Sequence, residues 1–257
     1  MSTDRSIEAV QTLLLSLADD ELVLGHRDSE WTGHAPILEE DIAFSNIAQD
    51  ELGHSLVWFG LFEKLSGHSP DVMAFERQWN DFTCCHFVEY PRGDFAYTLM
   101  RQYLFDEAEF VRLSAFAESS YSPLKEAAGK IIREESYHLL HSGGLVERLG
   151  TGTDESHERM QKALDIAYPQ ALGMFEPLVE ERMLVSDGVM PEQRNLFDSW
   201  GGRIRSHIAS ATLHIPPLNG AELSGSYGGR RRNHTEHLKL LVEDLQSVYR
   251  IAPGGKW

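Results

Sequence analysis

The sequence predicts an all-α fold, a four-helix bundle with a long crossover and additional C-terminal helices. Apolar residues recur at intervals of three and four along several stretches, as on the buried face of a helix. Glycine- and proline-containing segments separate these stretches, and none shows the two-residue alternation of a strand. We expect one domain over 1–257, with the core bundle at about 6–149 and the C-terminal helices at about 154–257.

Two helices are predicted at the start of the chain. The first spans 6–26, and Gly25 is typical of its end. After a turn-rich link, Pro36 suits the first turn of a second helix that runs to about Leu65. The stretch 71–94 contains a short helix and is the crossover that two paired hairpins require.

The remaining helices are predicted over 94–118, 124–149, 154–184, 191–213 and 235–251. Pro169 and Pro177 are expected to kink or split the third of these. The segment from Asn219 to Arg232 is rich in Gly and Ser and predicts a mobile loop.

The composition limits the classes of partner and compartment. The formal net charge of −17 argues against nucleic acid and against anionic membranes as partners. The two cysteines, Cys84 and Cys85, are adjacent and would bridge only with strain, which favours a reducing compartment. We find no signal-peptide pattern and no apolar run of transmembrane length, so we expect a cytoplasmic protein.

Two Glu-x-x-His pairs lie on predicted core stripes. They are Glu51 with His54, and Glu135 with His138. Residues at i and i+3 share one helix face, so a carboxylate and an imidazole can bind the same cation. Each pair occupies positions where a bundle would place leucine, and a buried carboxylate without a partner is costly. A metal ion is one way to compensate that cost.

Each pair is preceded by an acid on the apolar stripe of the helix before it. Glu21 precedes Glu51 by 30 residues and Asp106 precedes Glu135 by 29. That length suits a helix that rises, turns and descends at about 1.5 Å per residue. The chain therefore contains the same hairpin twice, an acid followed by Glu-x-x-His, the pattern of ferritin-like dinuclear sites.

The predicted ligand set favours two iron ions, with manganese as an alternative. Oxygen and imidazole donors suit these metals, and four carboxylates balance two divalent cations. We expect Glu51 and Glu135 to bridge, Glu21 and Asp106 to bind terminally, and the two histidines to supply nitrogen. The alternative is a polar network of acids, His and Arg inside a bundle without metal.

Acids also directly precede the two pairs. Ligating histidines usually donate their second N–H to a carboxylate. We hypothesise that Asp50 supports His138 and that Glu134 supports His54. The alternative is that each acid is solvated or paired with arginine.

Two further clusters have weaker patterns. Arg230, Arg231 and Arg232 form a basic run, which is usually a solvated face and alternatively a contact for a phosphate group or an acidic partner. His234 and His237 have a spacing that could bind metal, but the residues between them favour a helix start.

Several motifs resemble a known family. They are the segments 30–43 (EWTGHAPILEEDIA), 96–103 (AYTLMRQY), 137–139 (YHL), 147–154 (ERLGTGTD) and 234–238 (HTEHL). They resemble the C subunit of the phenylacetyl-CoA epoxidase complex over nearly the whole chain. The resemblance implies a ferritin-like fold and a role in aerobic phenylacetate breakdown, where the complex epoxidises the ring of the CoA thioester. It also implies a homologous ferritin-like partner, a separate reductase and an aromatic acyl-CoA substrate.

In that family the A subunit holds the di-iron site and the C subunit is its structural partner, without the ligands. This sequence departs from that pattern, because its ligand positions match those of the catalytic A subunit. They are Glu21, Glu51, His54, Asp106, Glu135 and His138. The expectation is therefore a di-iron monooxygenase component that binds metal itself. The alternative is a non-catalytic scaffold that pairs with a homologous catalytic subunit.

Overall fold

The computed structural model describes residues 4–218, 226–253 and 255. These residues form helices and connecting segments, and no strand occurs among them. The chain divides into two compact units, a first unit of Met1–Pro91 with Gly228–Trp257 and a second unit of Arg92–Tyr227. The all-α, ferritin-like fold predicted from the sequence is confirmed.

The helices are α1 (Asp4–Ser29), α2 (Leu38–Ser66), α3 (Pro70–Phe75), α4 (His86–Glu89), α5 (Phe95–Phe116), α6 (Ser122–Gly150), α7 (Asp154–Ala171), α8 (Glu181–Ser186), α9 (Gln193–Ser210), α10 (Glu236–Leu245) and α11 (Ser247–Ile251). Among the described residues, none of these helices is both long and apolar enough to cross a membrane.

In the first unit, α1 and α2 pack along each other as an antiparallel hairpin. The helix α1 continues through Gly25 to Ser29, so the predicted end at residue 26 is wrong by three residues. The helix α2 ends as predicted, because Gly67 adopts a left-handed φ of 78° and its N–H donates to the carbonyl of Glu63. The hairpin brings the middle of α1 alongside the middle of α2.

In the second unit, α5 and α6 form the corresponding hairpin, and α7 and α9 pack against α5. The side chain of Asp94 caps α5 by accepting a hydrogen bond of 2.9 Å from the backbone N–H of Tyr97. Pro123 lies in the first turn of α6, where a missing N–H costs nothing.

The C-terminal helices are shorter than predicted. The predicted helix over 154–184 is split as its prolines indicate: α7 includes Pro169 and ends at Ala171, and Pro177 lies in a non-helical stretch before α8. The predicted crossover over 71–94 contains α3 and also α4, which the sequence analysis missed because four residues are too few to show a helical period.

Candidate metal centre

Three of the predicted ligands meet in the first unit. Glu21 lies in the middle of α1, and Glu51 and His54 lie one turn apart on α2. All three are buried. Their ligand atoms lie within 4.8 Å of one another. The hairpin therefore assembles two carboxylates and an imidazole at one point, as the sequence predicts.

The distances in this cluster fit ligands of one ion better than they fit hydrogen bonds. Nδ1 of His54 lies 3.9 Å from Oε2 of Glu21 and 3.8 Å from Oε2 of Glu51. Hydrogen bonds of this type are shorter than about 3.2 Å. Ligands bind iron or zinc at about 2.0–2.2 Å, so two ligands of one ion are separated by distances up to about 4 Å. The donor set and the spacing therefore fit a cation.

Gly25 sets the close approach of the two helices beside this cluster. A Cβ atom at Gly25 would lie 3.0 Å from Cβ of Glu51 and 3.0 Å from the carbonyl oxygen of Ala48. Any larger residue would push α2 away from α1 at the level of Glu51. The sequence does not reveal this role of Gly25, since its one signal is a glycine one turn after Glu21 on the same helix.

The second unit holds the other three predicted ligands. Glu135 and His138 are buried one turn apart on α6, with Nδ1 of His138 3.2 Å from Oε1 of Glu135. Asp106 is buried on α5, and its two carboxylate oxygens accept hydrogen bonds from Gln102 and Ser142. All six predicted ligands are therefore buried.

The acids next to the pairs differ in exposure. Asp50 is half-buried and Glu134 is exposed. Their pairing with His138 and His54 stays a prediction.

The arginine run does not form the single exposed patch that a phosphate contact would need. Arg230 is buried and its guanidinium binds Asp20, so the predicted phosphate contact is wrong for this residue. Arg231 and Arg232 are exposed. The predicted mobile loop is also wrong from Ser226 to Arg230, where all residues but one are buried, while residues 219–225 lie outside the described part of the chain.

A second cluster of potential ligands lies in the first unit. Cys84, Glu89 and His234 have ligand atoms within 4.8 Å of one another. However, Glu89 accepts hydrogen bonds from the ring of His234 at 2.7 Å and from the backbone N–H and side chain of Thr235 at 2.7 Å. The other ring nitrogen of His234 lies 2.8 Å from the carbonyl oxygen of Phe82. Because its groups are already hydrogen-bonded, this cluster ties α10 to the crossover.

The thiol of this cluster is unsuited to reactions at neutral pH. Burial raises the pKa of Cys84 well above its ordinary value, and Glu89 raises it further. Cys84 and Cys85 are both buried, and neither forms a disulfide.

The comparisons with known proteins agree with the fold and with the resemblance. A model of the family described as phenylacetic acid catabolic protein matches residues 1–257. The chain is 35% identical to the C subunit of 1,2-phenylacetyl-CoA epoxidase from Escherichia coli (strain K12), over 95% of this chain and 97% of the relative. It is 27% identical to the A subunit of the same enzyme and organism, over 62% of this chain and 52% of the relative. With its helical hairpins and this match over the full length, the chain belongs to the phenylacetic acid catabolic protein family.

Proposed function

We propose that this chain is an iron-binding component of a multicomponent oxygenase in aerobic phenylacetate breakdown. Membership of the family supports the assignment to phenylacetate breakdown. The two relatives are subunits of an epoxidase named for an aromatic acyl-CoA. The observation that carries iron binding is the buried cluster of Glu21, Glu51 and His54 with its ligand-like spacing. By extension, the substrate is an aromatic acyl-CoA and electrons come from a separate reductase.

Two sets of residues would hold the metal, one iron ion for each set. The first is Glu21, Glu51 and His54, and the second is Asp106, Glu135 and His138. Bound iron supplies the redox chemistry that activates dioxygen. The four carboxylates carry four negative charges and offset the four positive charges of two divalent ions. A buried site tolerates such charges only when the net charge is near zero.

The protein around each set contributes burial and fixed orientation. All six side chains lie on helices rather than on loops, which holds them in narrow rotamer ranges. Burial keeps bulk water away from the carboxylates and strengthens their attraction for a cation. These features suit an oxidation that water would otherwise quench.

Metal content tests the proposal directly. The purified chain is loaded anaerobically with ferrous iron, the bound metal is counted, and the absorption spectrum is recorded after dioxygen is admitted. We expect two irons per chain and a change in the absorption spectrum when dioxygen is admitted. A Glu51→Ala variant should keep its helical circular dichroism and lose bound iron. A wild-type chain that binds no iron, or a variant that binds as much as wild type, would overturn the assignment.

One surface feature favours the second candidate function, a scaffold for a homologous catalytic subunit. The apolar residues Leu38, Ile42, Leu52 and Leu56 lie along one side of α2 and are 39–71% exposed. An apolar stripe of this kind is typical of a protein–protein contact. The partner that fits the comparisons is another ferritin-like protein, since the C and A subunits of one enzyme both match this chain.

The two candidates predict different results after co-purification. A scaffold co-elutes with its homologous partner, and only that partner contains iron. An iron-binding component contains iron of its own, whether it is purified alone or with the partner.

A further inference from the structure

Asp106 is held by two side-chain hydrogen bonds, one from each helix of its hairpin. The amide nitrogen Nε2 of Gln102 on α5 donates to Oδ1 at 2.7 Å, and the hydroxyl Oγ of Ser142 on α6 donates to Oδ2 at 2.5 Å. All three residues are fully buried, with 0% exposure. The carboxylate therefore cannot turn about its Cβ–Cγ bond without breaking one of these bonds.

The two donors stand at defined positions relative to the predicted ligands. Gln102 precedes Asp106 by one helical turn, and Ser142 follows His138 by one helical turn. Ser142 therefore fixes the acid of α5 to the helix that also carries Glu135 and His138. Each carboxylate oxygen has two lone pairs, so these hydrogen bonds do not prevent Asp106 from binding a cation.

The first unit lacks this arrangement at the equivalent positions. The residues four before Glu21 and four after His54 are Leu17 and Trp58, both buried. The side chain of leucine has no hydrogen-bond donor. The indole N–H of Trp58 makes no hydrogen bond to any described residue. The repeated hairpin has thus kept its ligand pattern in both copies, but polar residues flank the ligands at these positions in only one of them.

We propose that Gln102 and Ser142 are positioning residues that orient Asp106, so that the two iron positions of the chain are inequivalent. This inference rests on the proposed iron binding. An oriented acid loses less rotational freedom when it binds a cation, so these two hydrogen bonds raise the iron affinity of the set containing Asp106. Removing residues that orient a ligand typically costs about 10–100-fold in metal affinity.

An anaerobic titration with ferrous iron tests the inequivalence. We expect two binding phases in the wild-type chain and two distinct quadrupole doublets in its Mössbauer spectrum. The variants Ser142→Ala and Gln102→Leu should weaken one phase about 10–100-fold and shift one doublet, while the other phase stays unchanged. Ser142→Thr keeps a hydroxyl and should restore most of the lost affinity.

Ser55→Ala is the matched control. Ser55 is a buried serine on α2 whose hydroxyl donates to the backbone carbonyl of Ala18 at 2.8 Å rather than to a predicted ligand. Its loss should leave both phases and both doublets unchanged. Circular dichroism of every variant checks that the helices have formed.

The outcomes separate this inference from the proposed function. The positioning role is overturned if the two irons bind with one affinity and give one doublet. It is also overturned if the Ser142 and Gln102 variants bind iron as the wild type does. In both cases the proposed iron binding still stands. An equal loss in Ser55→Ala reduces the effect to general packing and also overturns it. A wild-type chain that binds no iron overturns both.

Discussion

Arg230 and Asp20 form a buried ion pair although 210 residues separate them in the chain. Nη1 of Arg230 lies 2.9 Å from Oδ1 of Asp20, and Nη2 lies 2.5 Å from Oδ2. Nη1 also donates to the backbone carbonyls of Ser16 and Thr83. Burial alone would lower the pKa of Arg230, but Asp20 reverses the effect and the net shift is upward. The arginine is therefore part of the core of the first unit.

The first prediction concerns this pair. Arg230→Leu removes one partner and leaves the carboxylate of Asp20 buried, so we expect a loss of about 3–5 kcal/mol in the free energy of unfolding, measured by urea denaturation. The control is Arg232→Asn, at an exposed position with a φ of 63° that asparagine tolerates, which should change stability little. Equal effects of the two substitutions would contradict the assignment.

The second prediction concerns the approach of α1 to α2. Gly25→Ala places a methyl group 3.0 Å from Cβ of Glu51, so we expect a loss of about 1–3 kcal/mol in stability and weaker iron binding by the first set. Gly60→Ala on α2 is the control, since a Cβ there meets nothing within 4 Å. That substitution should stabilise the helix by about 0.5–1 kcal/mol. A stabilising effect at Gly25 would be inconsistent with the close contact.

The third prediction is a dependence of stability on pH. Burial lowers the pKa of His26 below its ordinary value of 6.5, while Asp244, at 3.3 Å, opposes the shift. The unfolded chain therefore binds this proton more readily than the folded chain. Its contribution to stability is present above pH 6.5 and is lost as the pH falls through that value towards the lower folded pKa.

Urea denaturation between about pH 5 and 8 measures this contribution. His26→Gln should flatten the curve of unfolding free energy against pH, and the control is the same substitution at an exposed histidine, His34→Gln, on the turn between α1 and α2. A wild-type slope retained in His26→Gln would rule the contribution out.

The fourth prediction concerns the exposed side of α2. Leu56→Arg places a charge in the middle of the apolar stripe, so we expect loss of co-elution with a homologous ferritin-like subunit on size-exclusion chromatography. Stability should change by less than about 0.5 kcal/mol, because Leu56 is exposed. Val179→Arg, at an exposed position in the second unit, should leave co-elution intact. If Leu56→Arg keeps co-elution and Val179→Arg abolishes it, the contact surface does not lie on α2.

The burial of the predicted ligands could be foreseen from the sequence because it follows from helical periodicity. Glu51, His54, Glu135 and His138 stand where leucine would stand, and a period of about 3.6 residues is enough to place them in the core. Arg230 could not be predicted, because its partner Asp20 lies far away in sequence and a run of three arginines resembles a solvated surface. Gly25 illustrates the same limit, since a glycine near a helix end usually ends the helix.

The hydrogen bonds of Gln102 and Ser142 to Asp106 could be recognised only from interatomic distances in the structure. Both could be recognised as polar residues on apolar stripes, but their common acceptor depends on how α5 and α6 are aligned. A spacing of 36 residues between Asp106 and Ser142 does not specify that alignment.

The split of the first unit between the two ends of the chain has a consequence for synthesis. On a ribosome, α1, α2 and the crossover emerge before residues 228–257, and the whole second unit is translated between them. Until then Asp20 and Glu89 are without Arg230 and His234. The second unit, which is continuous in sequence, can complete its hairpin first. Nascent chains stalled before Gly228 should therefore protect α5 and α6 from proteolysis better than α1 and α4.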